Sequence, residues 1–198
     1  MEISHALSDS VLTLAGLFVF FRYLKKLPAT LRMLWSAFIL SITAASFCGA
    51  IRFWGYSPAR VLSEIFQHFA GTAGAICLVL ASYALITQKT IARNIAFIVI
   101  GIGVAIFIDV EISQQSAIVQ TTSMIAIPLV LVTGIWGLVK GKMPQSLWLI
   151  AGVIAITTAT FSKKLTGYSP FDATDTYHYL LTISILCFGK AADSAISA

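Results

Sequence analysis

Seven long apolar stretches follow one another along the chain, over 6–24, 31–52, 61–87, 91–109, 116–138, 145–162 and 173–191, with short polar breaks between them. About 17–25 mostly apolar residues in helical form cross a bilayer. The helical form is required because no water is available there to satisfy a bare backbone. The pattern therefore predicts an all-α, integral membrane, seven-helix bundle. Short connections make neighbouring helices antiparallel and the whole chain, 1–198, a single transmembrane domain.

The polar breaks differ in sign. Arg22, Lys25, Lys26, Arg32, Lys89, Arg93, Lys140, Lys142 and Lys190 fall at one end of the predicted bundle, and Arg52, Arg60, Lys163 and Lys164 at the other. Lys and Arg accumulate on the cytoplasmic side of membrane proteins, which predicts an N-terminus outside and a C-terminus in the cytoplasm. The acids sort the opposite way. Glu2, Asp9, Glu64, Asp109, Glu111, Asp172 and Asp175 lie on the outer half with His5, His68 and His178, and Asp193 alone lies on the inner half.

Composition agrees with a lipid environment. The chain is 58% hydrophobic and 11% charged, against about 25% charged in a soluble domain, and its mean hydropathy is +0.90. The net charge of +5 belongs to loops flanking helices and predicts no nucleic-acid partner. Met1 to His5 lacks a basic leader, so the first stretch is read as a retained helix. Cys48, Cys77 and Cys187 sit inside apolar stretches without metal-ligand spacing and are read as small core residues.

The two halves resemble each other. Glu2-Ile3-Ser4 matches Glu111-Ile112-Ser113, and Lys26-Leu27-Pro28 matches Lys142-Met143-Pro144. Arg52 to Pro58 matches Lys164 to Pro170, both basic-x-x-Gly-Tyr-Ser-Pro; Glu64 with His68 matches Asp175 with His178. Repeats offset by four helices keep one orientation, giving a three-plus-one-plus-three parallel arrangement: repeat one over 1–88, a linker helix within 89–110, repeat two over 111–198. An axis along the membrane normal would then pair Glu2 with Glu111, Arg52 with Lys164, and His68 with His178 round one outer-leaflet centre.

Glu2, His5 and Asp9 are spaced to share a helix face, as are Glu64 with His68 and Asp175 with His178. Ionisable groups inside membrane segments are costly and mark working sites. One reading is a zinc ion held by His5, His68 and His178, with Asp9, Glu64 or Asp175 as general base or as partner of a ligand imidazole. Arg52, Glu2, Glu111 and Lys164 would bind substrate, Arg52 meeting an anionic head group. The plainer reading is interhelical hydrogen bonding among head groups, with Arg52 and Lys164 as interface anchors. The Gly-Tyr-Ser-Pro segments read as turns, Ser46 and Cys48 as helix-packing residues, and Pro128 as a kink.

The opening Glu2-Ile3-Ser4-His5-Ala6-Leu7-Ser8-Asp9 and the closing run from Asp172 to His178 resemble an uncharacterised family of bacterial seven-helix membrane proteins. That family is distantly similar to the CREST superfamily of alkaline ceramidases, progestin and adipoQ receptors and haemolysin III-like proteins. The resemblance implies a zinc-dependent hydrolase of lipid amide or ester bonds in a bacterial inner (cell) membrane, with His178 a zinc ligand and Asp9 a polar site residue. The chain departs from that pattern: Thr182 stands where the superfamily has a second histidine on its last helix, and Arg52 stands near the expected helix-2 histidine. The alternative is a small-solute or proton-coupled transporter or binding protein, because the parallel repeat resembles that of sugar-transporting SWEET-type proteins. A third reading is a haem protein using His68 and His178. Lys190 lies too near a helix end for a retinal Schiff base.

Overall fold

The computed structural model describes residues 2–162 and 172–196, without the side chains of Glu2 and Ile196. Among these residues the chain is helical with no strand. Seven long helices appear: α1 (Glu2–Arg22), α2 (Ala29–Phe53), α3 (Ala59–Thr87), α4 (Arg93–Ser113), α5 (Ser116–Val139), α6 (Met143–Ser162) and α7 (Ala173–Ile196). The first six are long and apolar enough to cross a membrane. At 25 residues, α2 spans about 37 Å at 1.5 Å per residue, more than the hydrocarbon core of about 30 Å. The exception, α7, is diluted by Asp175, His178, Lys190 and Asp193, and the first two of these belong to the site below.

The helices form a ring. α1 packs on α2, α2 on α3, α3 on α5, α5 on α6, α6 on α7, and α7 closes back on α1. α4 lies outside the ring against α3. The apolar windows of α2 and α3 are 67% buried and that of α4 only 17%, so α4 is the peripheral helix. Small residues set the close approaches, as expected where lipid is as apolar as a core and packing does the work. A methyl on Gly152 would run into the Phe188 ring. Phe188 in turn meets Trp35 and Phe38 at 6.1 and 6.0 Å between ring centroids. This cluster fills the half of the ring nearer the basic end.

Helix ends depart from the sequence expectation at two places that matter. α1 begins at Glu2, so His5 and Asp9 both lie in its first turns. α4 runs on to Ser113, so Glu111 belongs to its last turn and not to the lead-in of α5. The first Gly-Tyr-Ser-Pro is the turn between α2 and α3, where Gly55 takes φ +106°, a conformation open to glycine. The second, with Lys163 and Lys164, lies outside the described residues. α5 continues through Pro128.

α3 is interrupted by a π turn at Ala70–Gly74. The polar groups it frees are taken up locally: Ser123 of α5 donates to the Gly71 carbonyl at 3.0 Å and Thr72 to the His68 carbonyl at 2.7 Å. Gly103 of α4 packs here, and a methyl on it would stand 2.6 Å from Ala73 Cα.

Candidate functional site

α1 carries Ser4, His5, Ser8 and Asp9, a four-residue spacing that puts them on one face. α7 opposes that face with Asp175 and His178 in its opening turns. Ser4 donates to Asp175 Oδ2. His5 Nδ1 and Ser8 Oγ both lie on Asp175 Oδ1, at 2.9 and 2.7 Å. Ser8 Oγ also meets His178 Nδ1 at 3.1 Å, and His178 Nε2 faces Asp9 Oδ1 at 3.5 Å. At the outer edge Asp172 Oδ1 stands 3.9 Å from His5 Nε2. Ser8 is fully buried and Asp9 and Asp175 are each 4% exposed, so these are interior contacts.

α2 supplies the third wall. A methyl on Gly49 would strike the Asp9 carboxylate, so only glycine lets Asp9 lie there. Arg52, one turn on, is the cation that bears on Asp9 electrostatically, beside His5 and Asp175. Its guanidinium lies over the Phe53 ring at 4.6 Å, and Phe53 meets His5 at 5.0 Å. One turn deeper than Asp9, Thr13 and Ser46 are 3.0 Å apart; a turn beyond, Gly16 packs on Thr43. A polar seam thus runs inward between α1 and α2 before the apolar core closes it.

The proton positions follow from what each atom can do. Carboxylate oxygens only accept. His5 Nδ1–H and the Ser4 and Ser8 hydroxyls therefore donate to Asp175. With its proton committed, Ser8 accepts from His178 Nδ1–H. A proton on the facing His178 nitrogen or on the Asp9 carboxylate would turn their 3.5 Å contact into a hydrogen bond.

The second histidine–carboxylate contact is elsewhere. His68 of α3 donates from Nδ1 to Glu111 Oε1 of α4 at 2.7 Å, and their side chains are 32% and 29% exposed. Glu64, expected beside His68, pairs instead with Arg60 at 2.7 Å on the exposed face of α3. The structure therefore brings His5, Asp9, Asp175, His178 and Arg52 together and holds His68 apart from them, because α4 covers α3 and its last turn reaches His68 first. The side chain of Glu2 and all of Lys164 fall outside the described residues.

This arrangement does not fit the zinc expected from the three histidines. A zinc site takes at least three protein ligands. Among the described residues no group of three or more His, Cys, Asp or Glu is disposed to hold a metal ion, and His68 lies against α4 and not beside His5 and His178. Ser4 and Ser8 were not singled out from sequence, although their four-residue repeat alongside His5 and Asp9 carried the signal.

Ring, peripheral helix and buried polar cluster define the class: a polytopic α-helical membrane protein with an ionisable site at one end. Residues 4–196 match a family of unknown function, DUF6962, and the chain belongs to that family. No curated protein and no solved structure matches it.

Proposed function

We propose that this protein binds or carries a small solute across a bacterial inner membrane in exchange for, or together with, a proton held between Asp9 and His178. One observation carries the reading: a chain of polar contacts, hydrogen-bonded from His5 through Asp175 and Ser8 to His178 and flanked by partly exposed Asp172 at 3.9 Å and buried Asp9 at 3.5 Å. Intramembrane acid–histidine chains of this kind mark proton relays and ion pathways. The excess of Lys and Arg at the opposite end supports an N-terminus outside and the relay opening outward. The closed ring with α4 outside it supports the three-plus-one-plus-three repeat, since α1, α2, α3 and α5, α6, α7 then occupy corresponding places. Resemblance to bacterial seven-helix proteins supports the inner-membrane location.

Proteoliposomes with a trapped pH-sensitive dye test this. Gradients of glucose, sucrose and mixed amino acids are imposed in turn. A solute-dependent pH change that falls at least tenfold in Asp9→Asn at equal protein supports proton coupling. No pH change with any gradient, or the same change in Asp9→Asn, removes it.

A second reading is hydrolysis of a lipid amide or ester. It is favoured by the order Ser8, His178, Asp9: in the other His178 tautomer Nε2–H faces Asp9 and Nδ1 can take the Ser8 proton once that hydroxyl turns from Asp175. Release of fatty acid from a ceramide or phospholipid panel, lost in Ser8→Ala and in His178→Gln, would establish it.

A further inference from the structure

The basic end of the ring buries polar atoms that are left without partners. Trp35 Nε1 of α2, Ser82 Oγ of α3, and Gln145 Oε1 and Ser146 Oγ of α6 have no hydrogen bond among the described residues, and none of the four residues is more than 2% exposed. Each lies within two turns of its helix end, on the side where Lys and Arg accumulate. Buried hydroxyls elsewhere in the bundle donate back one turn, as Thr13 does to the Asp9 carbonyl and Thr43 to that of Ile39; Ser82 and Ser146 do not. α3 and α6 meet here. A methyl on Gly137 of α5 would strike both the Ser146 hydroxyl and Ile86, and Ser82 is one turn back from Ile86 on α3. Buried polar atoms are nearly always paired, with protein or with water, so a cluster of unpaired ones at one end calls for water.

Polar ties close the ring around these atoms. Asp193 of α7 takes Lys26 of the α1–α2 turn at 3.0 Å and stands 3.8 Å from Lys190. Gln145 Nε2 donates to the Ser194 carbonyl at 3.2 Å, joining α6 to α7. Lys142 Nζ donates to Gln88 Oε1 at 2.8 Å, joining the start of α6 to the end of α3. These contacts reach the surface, and exposed pairs are individually weak. Two effects therefore oppose each other. The ties hold the end shut, while the polar atoms behind them gain partners once water enters. An element balanced in this way has two arrangements within reach. The outer cluster has no such tension, because Ser4, His5 and Ser8 already share Asp175.

We propose that the basic end is an inner gate: Trp35, Ser82, Gln145 and Ser146 line a vestibule that fills with water when the Asp193–Lys26 and Lys142–Gln88 ties release. The purpose of the gate rests on the solute-carrying reading, for which it is the second mouth.

The test uses Ser146→Cys in lipid nanodiscs, labelled with a membrane-impermeant maleimide and read by peptide mass mapping. Native Cys77, fully buried on α3, is the internal reference. The expected result is slow labelling at position 146 with the ties intact. Asp193→Ala or Lys26→Ala speeds it about threefold, as the loss of one weak tie allows. Asp193→Ala combined with Lys142→Ala speeds it at least tenfold, and Cys77 stays unlabelled throughout. Rapid labelling with the ties intact, an unchanged rate in the combined variant, or Cys77 rising in step with position 146 overturns the proposal. Lys26→Ala alters a partly exposed side chain and decides the point even if Asp193→Ala fails to fold. The labelling needs no solute, so its outcome is separate from that of the proteoliposome assay: a gate that opens in a protein showing no coupled pH change keeps the vestibule and removes the transport reading alone.

Discussion

The two ends of the same chemistry, a histidine against a carboxylate, occur twice in this bundle and are built differently. Between α3 and α4, His68 and Glu111 share one hydrogen bond at 2.7 Å with about a third of each side chain exposed. Between α1 and α7, His178 and Asp9 are 3.5 Å apart with 14% and 5% exposed, His178 is tied onward to Ser8, and Asp9 feels the charge of Arg52. The shorter contact is the simpler one. Water or head groups can replace either partner of His68, whereas nothing apolar around Asp9 can stand in for a lost partner. Contact length is therefore a poor guide to importance here; the number of groups left stranded by a deletion is the better one.

The largest test of that contrast is Asp175→Ala against Glu111→Ala. Asp175 is the acceptor for Ser4, His5 and Ser8, so its loss strands buried donors and costs about 3–5 kcal/mol. Loss of Glu111 costs less than about 1 kcal/mol. Thermal unfolding in detergent followed by helical circular dichroism checks both, and equal shifts would break the comparison. Next comes Gly49→Ala, which puts a methyl into the Asp9 carboxylate and costs about 1–3 kcal/mol through overpacking. Gly101→Ala, where an added methyl meets open space, is the matched control and leaves the melting temperature unchanged or slightly higher. Asp9→Asn keeps the shape of the side chain and lowers stability by less than about 1 kcal/mol. It abolishes proton coupling all the same, which separates function from folding at one position. The smallest effect concerns metal. Elemental analysis of protein purified without chelator gives zinc well below one per chain, equal in parent and His178→Ala. Stoichiometric zinc lost in that variant would turn the α1–α7 cluster into a metal centre.

Hydropathy made the seven helices legible because lipid imposes length and apolarity together. Even so, α7 falls short on apolarity, since Asp175 and His178 face α1 and not lipid, and Lys190 and Asp193 lie toward its far end. The site was legible residue by residue for His5, Asp9, Asp175, His178 and Arg52, whose charges stand out in an apolar chain. The serines between them were not, since a hydroxyl hardly alters hydropathy and its role depends on what faces it. Glu111 was assigned to the wrong neighbours because its partner is set by where α4 stops, two turns beyond Phe107's apolar run, and helix ends are the least legible feature of a pattern.

The π turn in α3 has a consequence for any length change in that helix. A regular α-helix advances about 100° per residue, and the wide turn at Ala70–Gly74 holds one residue more than a regular turn would. Deleting a single residue there lets α3 close into an unbroken α-helix, and the parts on either side keep nearly the same relative orientation, because the wide turn had already absorbed the extra residue. The same deletion one turn further in, where the helix is regular, rotates the outer part by about 100° relative to the part locked in the ring, and His68 would leave α4. The wide turn thus works as a slack link: the chain can shorten by one residue there while the outer end of α3 still addresses the same neighbour.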